Sequence, residues 1–217
     1  MTFMQVTLSM LEGFRNTCYI FAVVLILSLP LGLVISFGSM SRFKPLRAVT
    51  KLVIWVIRGT PLLVQLFVVF YGLPDVGIVL DPFPAAVIVF AVNEGAYCAE
   101  TMRAALESVP PGQMEAGYCV GMSYLQIIRR IVLPQALRTA FPPLSNSLIS
   151  MVKDTSLAAN ITVMEMFMAT QRIAARTYEM LPLYCEVALI YLIFSTVLTF
   201  IQRAGERRLS SYGKRKT

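Results

Sequence analysis

The chain has 217 residues, of which 57% are hydrophobic and only 14% charged, and its formal net charge is +7. Soluble domains carry about 25% charged residues; this chain has too few to coat a globule of its size, which excludes a water-soluble fold and predicts an integral membrane protein. It contains no histidine, so histidine-based metal, acid–base and nucleophilic chemistry is excluded as well.

Residues Met1–Gly13 carry Glu12 but no Lys or Arg. The basic start of a cleavable signal peptide is missing, so the first apolar run is expected to persist in the mature protein. A helix crossing a hydrocarbon core of about 30 Å needs about 20 residues. Five segments meet or nearly meet that length, roughly Phe14–Gly38, Ala48–Leu73, Phe83–Leu106, Leu137–Asn160 and Leu183–Ile201. Their apolar runs are continuous rather than alternating, which predicts helices and not barrel strands. The expected architecture is one all-α transmembrane domain over residues 1–217 with five spans.

Polar residues punctuate these spans, and a charge in a bilayer is costly enough to mark a functional candidate. In the second, Arg58 precedes Gly59 and Pro61. It either lines a passage at a helix break or snorkels to an acid on another helix. In the third, Asn93 and Glu94 sit near the middle; Glu94 either faces a pathway or pairs with Arg58. Glu100 and Arg103, three apart, are predicted to pair on one helix face. The fourth span is the weakest. Pro142-Pro143 is expected to interrupt its hydrogen-bond ladder, leaving Ser145, Asn146 and Ser147 to satisfy the freed backbone. Lys153 and Asp154 then either contact cargo or form the outer boundary. Cys18, Cys98, Cys119 and Cys185 are scattered without metal-ligand spacing and are predicted to be small apolar fillers.

Basic residues fall in alternate connectors: Arg42, Lys44, Arg47 and Lys51; then Arg103, Arg129, Arg130 and Arg138; then a tail over 205–217 with Arg207, Arg208, Lys214, Arg215 and Lys216, just after Arg203. The positive-inside rule places these in the cytoplasm and the N-terminus outside. Anionic headgroups account for the positive charge, and no nucleic acid partner is needed.

The connector over 108–135 is polar and helix-prone between two apolar spans. Pro110-Pro111-Gly112 stops the third helix. A short helix over Gln113–Val120 is predicted, broken by Gly121, and Ser123 with Gln126 makes a capping-box pattern for a second one. Leu125, Ile128, Ile131 and Val132 form its expected apolar stripe, with Leu133-Pro134 ending the element. Taken alone, this is either an amphipathic hairpin lying on the lipid or a docking surface.

The string Glu115-Ala116-Gly117, then Gly121, then Ile131-x-Leu133-Pro134 resembles the EAA signature of permease subunits of ATP-binding-cassette importers. That signature reads Glu-Ala-Ala, Gly four residues after the last Ala, and Ile-x-Leu-Pro. Gly117 departs from the second Ala, a change expected to loosen the helix slightly. Arg58-Gly-Thr-Pro-Leu-Leu-Val-Gln65, Ala96-Tyr97-x-Ala-Glu100 and Lys153-Asp-Thr-Ser-Leu157 are similar to the polar amino acid branch. Gly77-Ile-x-Leu-Asp-Pro82 and the run through Ala159 are similar to cystine permeases.

The resemblance implies a type I importer permease core over about 14–204, in the bacterial cytoplasmic membrane. It implies two permease subunits, identical or sisters, enclosing the pathway, and a dimer of ATPase subunits holding ATP and magnesium. An extracytoplasmic substrate-binding protein would deliver a polar amino acid, with L-cystine as the most specific suggestion. Within 108–135, Glu115, Ala116, Gly117, Gly121, Ile131, Leu133 and Pro134 would couple to the ATPase. Arg58, Asn93, Glu94, Asn146, Lys153 and Asp154 are the candidates for the substrate pathway. The chain has no G-x-x-x-x-G-K-[ST] stretch, so it cannot supply the nucleotide site itself; the resemblance implies that it binds no cofactor or metal of its own and is not itself an enzyme. The runner-up reading is a membrane assembly or regulatory subunit without a pathway.

Overall fold

The computed structural model describes the backbone of residues 3–214 and the side chains of residues 10–209. Met1 and Thr2, and Arg215 and Lys216 of the predicted tail, lie outside the described residues. All regular structure among the described residues is helical.

Helix α1 (Phe3–Ser39) is mostly apolar, and the hydroxyls of Thr17, Ser28 and Ser39 bond back to the helix itself. Thr17 Oγ1 donates to Gly13 O at 3.1 Å and Ser39 Oγ to Ser36 O at 2.8 Å. Helix α4 (Pro82–Glu107) lies against it and forms the centre of the fold. The contact is made by small residues. A Cβ on Gly32 would come within 2.7 Å of Cys98 Cβ, and one on Gly95 would meet Leu31 at 3.2 Å. Lipid offers helices no hydrophobic drive to associate, so close backbone approach and dispersion must supply it. Tyr19 stacks on Phe83 while Gly32 meets Cys98, so α1 and α4 run parallel.

The second apolar segment is broken. Helix α2 (Lys44–Gly59) and the run Leu62–Val76, which starts with α3 (Leu62–Phe67), meet at 107°. Pro61 excludes the helical region for Thr60, which is extended (φ −115°, ψ 145°). Gln65 heals the break: its Nε2 donates to Ile57 O at 2.7 Å and to Thr60 Oγ1 at 2.9 Å. Irregular backbone at membrane depth survives only with such replacement partners.

Between α4 and the fourth segment lie α5 (Pro111–Cys119) and α6 (Tyr124–Ile127). A π-turn over Ile128–Val132 joins α6 to α7 (Leu133–Asp154), followed by a 3-10 stretch Thr155–Ile161. Two sequence expectations fail here. Leu133-Pro134 does not end a helix, because Leu133 N–H reaches back five residues to Ile128 O. This wider π register lets the chain stay helical into Pro134, which has no N–H to give. Nor does Pro142-Pro143 break the fourth segment; both prolines lie inside α7, packed between α4 and α9 (Met180–Lys214). The broken span is the second.

Helix α8 (Met166–Thr177) closes the α1 N-terminal end of the bundle, opposite the α5–α6 hairpin. Among the described residues three helical stretches, Met10–Ser39, Pro82–Glu107 and Met180–Leu209, are long and apolar enough to cross a bilayer, and the bent pair counted as one span makes a fourth. Helix α7 reaches about 33 Å at about 1.5 Å per residue, but its polar residues keep it out of that set. Helix α9 runs through Lys214, so the predicted tail begins as a continuation of the last span.

Candidate functional site

Two features occupy positions the sequence singled out, a hairpin at one end and a polar pocket between helices. In the hairpin, α5 ends on Gly121 at φ +76°. Gly121 N–H bonds Tyr118 O at 2.9 Å and Met122 N–H bonds Gly117 O at 3.0 Å, a Schellman arrangement that needs a left-handed residue. Ser123 N–H then donates to Gln126 Oε1 at 2.9 Å, the reciprocal half of the expected capping box.

Packing inside the hairpin corrects two expectations. Ile127, outside the predicted stripe, is its fully buried residue, whereas Leu125 is 65% exposed. Gly117 is no mere loosening of the helix. It is buried, and a Cβ there would sit 2.7 Å from Ile127 Cγ1, so only glycine lets α5 rest on Ile127 and Ile131. Glu115 and Ala116 are exposed on the far side, together with Tyr118, Val120 and Tyr124. Leu133 is exposed, and Ile131 and Pro134 are half-buried at the base. The hairpin thus presents a carboxylate among apolar side chains that nothing among the described residues covers.

The pocket has a volume of about 480 Å³ and lies between α4, α7 and the break at Thr60–Leu62. It gathers four predicted residues, Asn93, Glu94, Asn146 and Asp154. Glu94 is 5% exposed and accepts from Cys98 Sγ at 3.6 Å. Asn93 Nδ2 donates to Gln65 Oε1 at 3.1 Å, tying the pocket wall to the helix break. The sequence reading did not place Thr60, Tyr97 or Ser150 among the pathway candidates, and gave Ser147 only a backbone-satisfying role. Ser147, Ser150 and Asp154 lie at i, i+3 and i+7, a signal of one helix face that could have found them.

Two candidates stand apart. Arg58 does not pair with Glu94; it faces Glu100 at 3.8 Å and lies 5.1 Å over the Tyr97 ring, behind the pocket wall. Glu100 also accepts from Arg103 Nε at 3.1 Å, as expected, and Arg103 reaches Glu107 as well. Lys153 points away from Asp154 into a groove beside Tyr184 and Tyr191 of α9. Neighbouring residues on a helix diverge by about 100°, so the two cannot share a face.

At the α8 end, Glu165 is fully buried. Its carboxylate caps α8, accepting from Phe167 N–H at 2.8 Å and Met168 N–H, while Tyr191 Oη donates to it at 2.9 Å. Burial outweighs these bonds and pushes Glu165 up to about 7. Among the described residues no group of three or more Cys, Asp or Glu is placed to hold a metal ion. All four cysteines are free; Cys98 is buried and Cys18 half-buried, but Cys119 and Cys185 are exposed and fill no space within the chain.

The sequence over residues 9–211 matches the family described as the binding-protein-dependent transport system inner membrane component. The L-cystine transport system permease protein TcyB of Bacillus subtilis is 49% identical over 183 residues, 84% of this chain and 78% of the relative. The glutamine transport system permease protein GlnP of Escherichia coli is 39% identical over 202 residues, 92% of both chains. A crystal structure of an amino acid ABC transporter with histidines superposes with a TM-score of 0.89 at 32% identity, covering 94% of this chain and 96% of that one. An all-helical bundle, a polar pocket beside a broken helix and an uncovered hairpin therefore belong to a multi-pass protein of the cytoplasmic membrane: the chain is a member of the binding-protein-dependent inner-membrane transport family, an amino acid permease of the ATP-binding-cassette class.

Proposed function

We propose that the chain is one of two permease subunits, identical or sisters, of an importer that carries L-cystine, with its N-terminus outside, five spans and a cytoplasmic C-terminus. The basic connectors support the orientation, and the likeness to a cystine permease supports the substrate. A separate pair of ATPase subunits, holding ATP and magnesium, drives transport, and an extracytoplasmic binding protein delivers the amino acid.

The observation that carries this reading is the hairpin. Residues 108–135 form the coupling loop, with Glu115 and Ala116 outermost and Gly117, Gly121 and Ile131 shaping the element behind them. Leu133 and Pro134 continue it into α7, so force on the hairpin is delivered to the helix that carries Asn146 and Asp154. Ammonium groups of the passing amino acid are matched by Glu94 and Asp154 in the pocket, and Asn93 and Asn146 supply neutral hydrogen-bonding groups. Arg58 and Lys153 act from outside it, Arg58 by holding Tyr97.

Purified complex in liposomes tests the reading: uptake should require both ATP and binding protein. Glu115→Lys should abolish uptake while membrane insertion stays normal. Transport at wild-type rates in that variant would remove the docking role, and a complex that hydrolyses ATP without any uptake would favour an assembly or regulatory subunit.

A further inference from the structure

At the end of the bundle opposite the hairpin, α1 and α8 enclose a cleft of about 240 Å³. Arg15 from α1 and Arg172 and Arg176 from α8 line it, with Glu12 as the one acid among its lining residues. Arg172 and Arg176 lie one turn apart on the same side of α8. Ala169 and Ile173 line the same cleft and are buried, as are Met166, Thr170 and Ala174, so packing fixes the rotation of α8. Arg15 is brought close by the approach of α1 to α8, where a Cβ on Gly13 would lie 2.8 Å from Met166 Cα. Asn16 Nδ2 donates to Met164 O at 2.7 Å and Thr17 Oγ1 accepts from Met166 N–H at 3.1 Å, so the floor of the cleft is stapled.

The three arginines are exposed, and among the described residues none forms an ion pair or a side-chain hydrogen bond. Arg58 and Arg103, by contrast, are both held by acids of this chain. Three guanidinium forks around a concavity fit carboxylates, which they bind in bidentate fashion. Headgroups explain them less well, since the chain gathers its membrane-anchoring basic residues at the other end.

We propose that this cleft is the dock for acidic side chains of the extracytoplasmic binding protein, an inference that rests on the orientation and importer reading above. Binding protein seated here would touch α1 and α8 at once. Helix α8 is capped by Glu165, which in turn holds Tyr191 of α9. Docking therefore bears on the packing of three helices.

The test uses the complete importer with its own loaded binding protein in phosphatidylcholine vesicles, reading ATPase stimulation against binding-protein concentration. The double variant Arg172→Glu, Arg176→Glu should raise the half-saturating concentration about tenfold or more, because like charges then face each other. Basal ATPase should be unchanged, which also shows that the variant folds. Arg172→Lys, Arg176→Lys should shift it less, keeping the charge and losing the fork. Added salt should weaken the wild type and, by screening the repulsion, lower the half-saturating concentration of the Glu variant. An unchanged half-saturating concentration beside a stimulated wild type would overturn the dock alone. A defect that appears only when phosphatidylglycerol is mixed into the vesicles would assign the cleft to lipid and overturn it too. A wild type with no stimulation and no uptake would overturn the importer reading, and the dock with it.

Discussion

Adding a single methyl group at Gly117 probes whether the two halves of the hairpin are fitted to each other. A Cβ there falls 2.7 Å from Ile127 Cγ1, 3.0 Å from Ile127 Cδ1 and 3.3 Å from Ile131 Cδ1. Ile127 is fully buried and cannot turn aside without moving its neighbours. Overpacking of this kind costs about 1–3 kcal/mol, while replacing a helical glycine by alanine recovers about 1 kcal/mol. Gly117→Ala should therefore destabilise the hairpin by about 0–2 kcal/mol, even though alanine is the residue the EAA signature carries. Ile127→Ala alone opens a cavity and should cost about 2–5 kcal/mol. Combined, the new methyl enters the vacated space, so the double variant should lose about 1–3 kcal/mol less than the two single losses added together. Amide hydrogen exchange over residues 111–132 of the reconstituted complex reads these as local opening free energies, and coupled ATPase activity should follow the same order. Additivity within about 0.5 kcal/mol would refute the fit, as would a Gly117→Ala hairpin better protected than wild type.

Glu165 supplies a pH dependence. Its carboxyl titrates near 7 instead of the ordinary 4.5, because it is buried. Ionisation costs the folded protein more than the unfolded one, so thermal stability in detergent should fall as pH climbs from about 4.5 to about 7 and level off above. Glu165→Gln should flatten that slope, and an unaltered slope would show that another group carries it. Glu94→Gln keeps the shape of the pocket and removes its most buried charge; substrate-stimulated ATPase should drop while stability holds or rises, since Arg58 is already engaged by Glu100. Unchanged stimulation would take Glu94 out of the transport path.

Much of this protein is written in short-range chemistry. The apolar runs, the halt at Pro110-Pro111, the left-handed Gly121, the cap at Ser123 and the break ahead of Pro61 each follow from residues within a turn or two of one another. The Glu100–Arg103 pair does too. The same logic misjudged Leu133-Pro134, where a π-turn carries the helix onward, and Pro142-Pro143, which α7 absorbs between its neighbours. Tertiary structure alone decided which side chains meet. Glycine at 32 and 95 sets how α1 and α4 approach, and that approach gives the bundle its rotations. From those rotations it follows that Asp154 joins Asn93 and Glu94 while Lys153 is turned away, that Arg58 finds Glu100, and that Arg15 lands beside Arg172 and Arg176. Hydropathy and turn chemistry act along the chain and so can be read from it. The azimuth of one helix against another is settled by packing between residues far apart in sequence, and no local pattern encodes it.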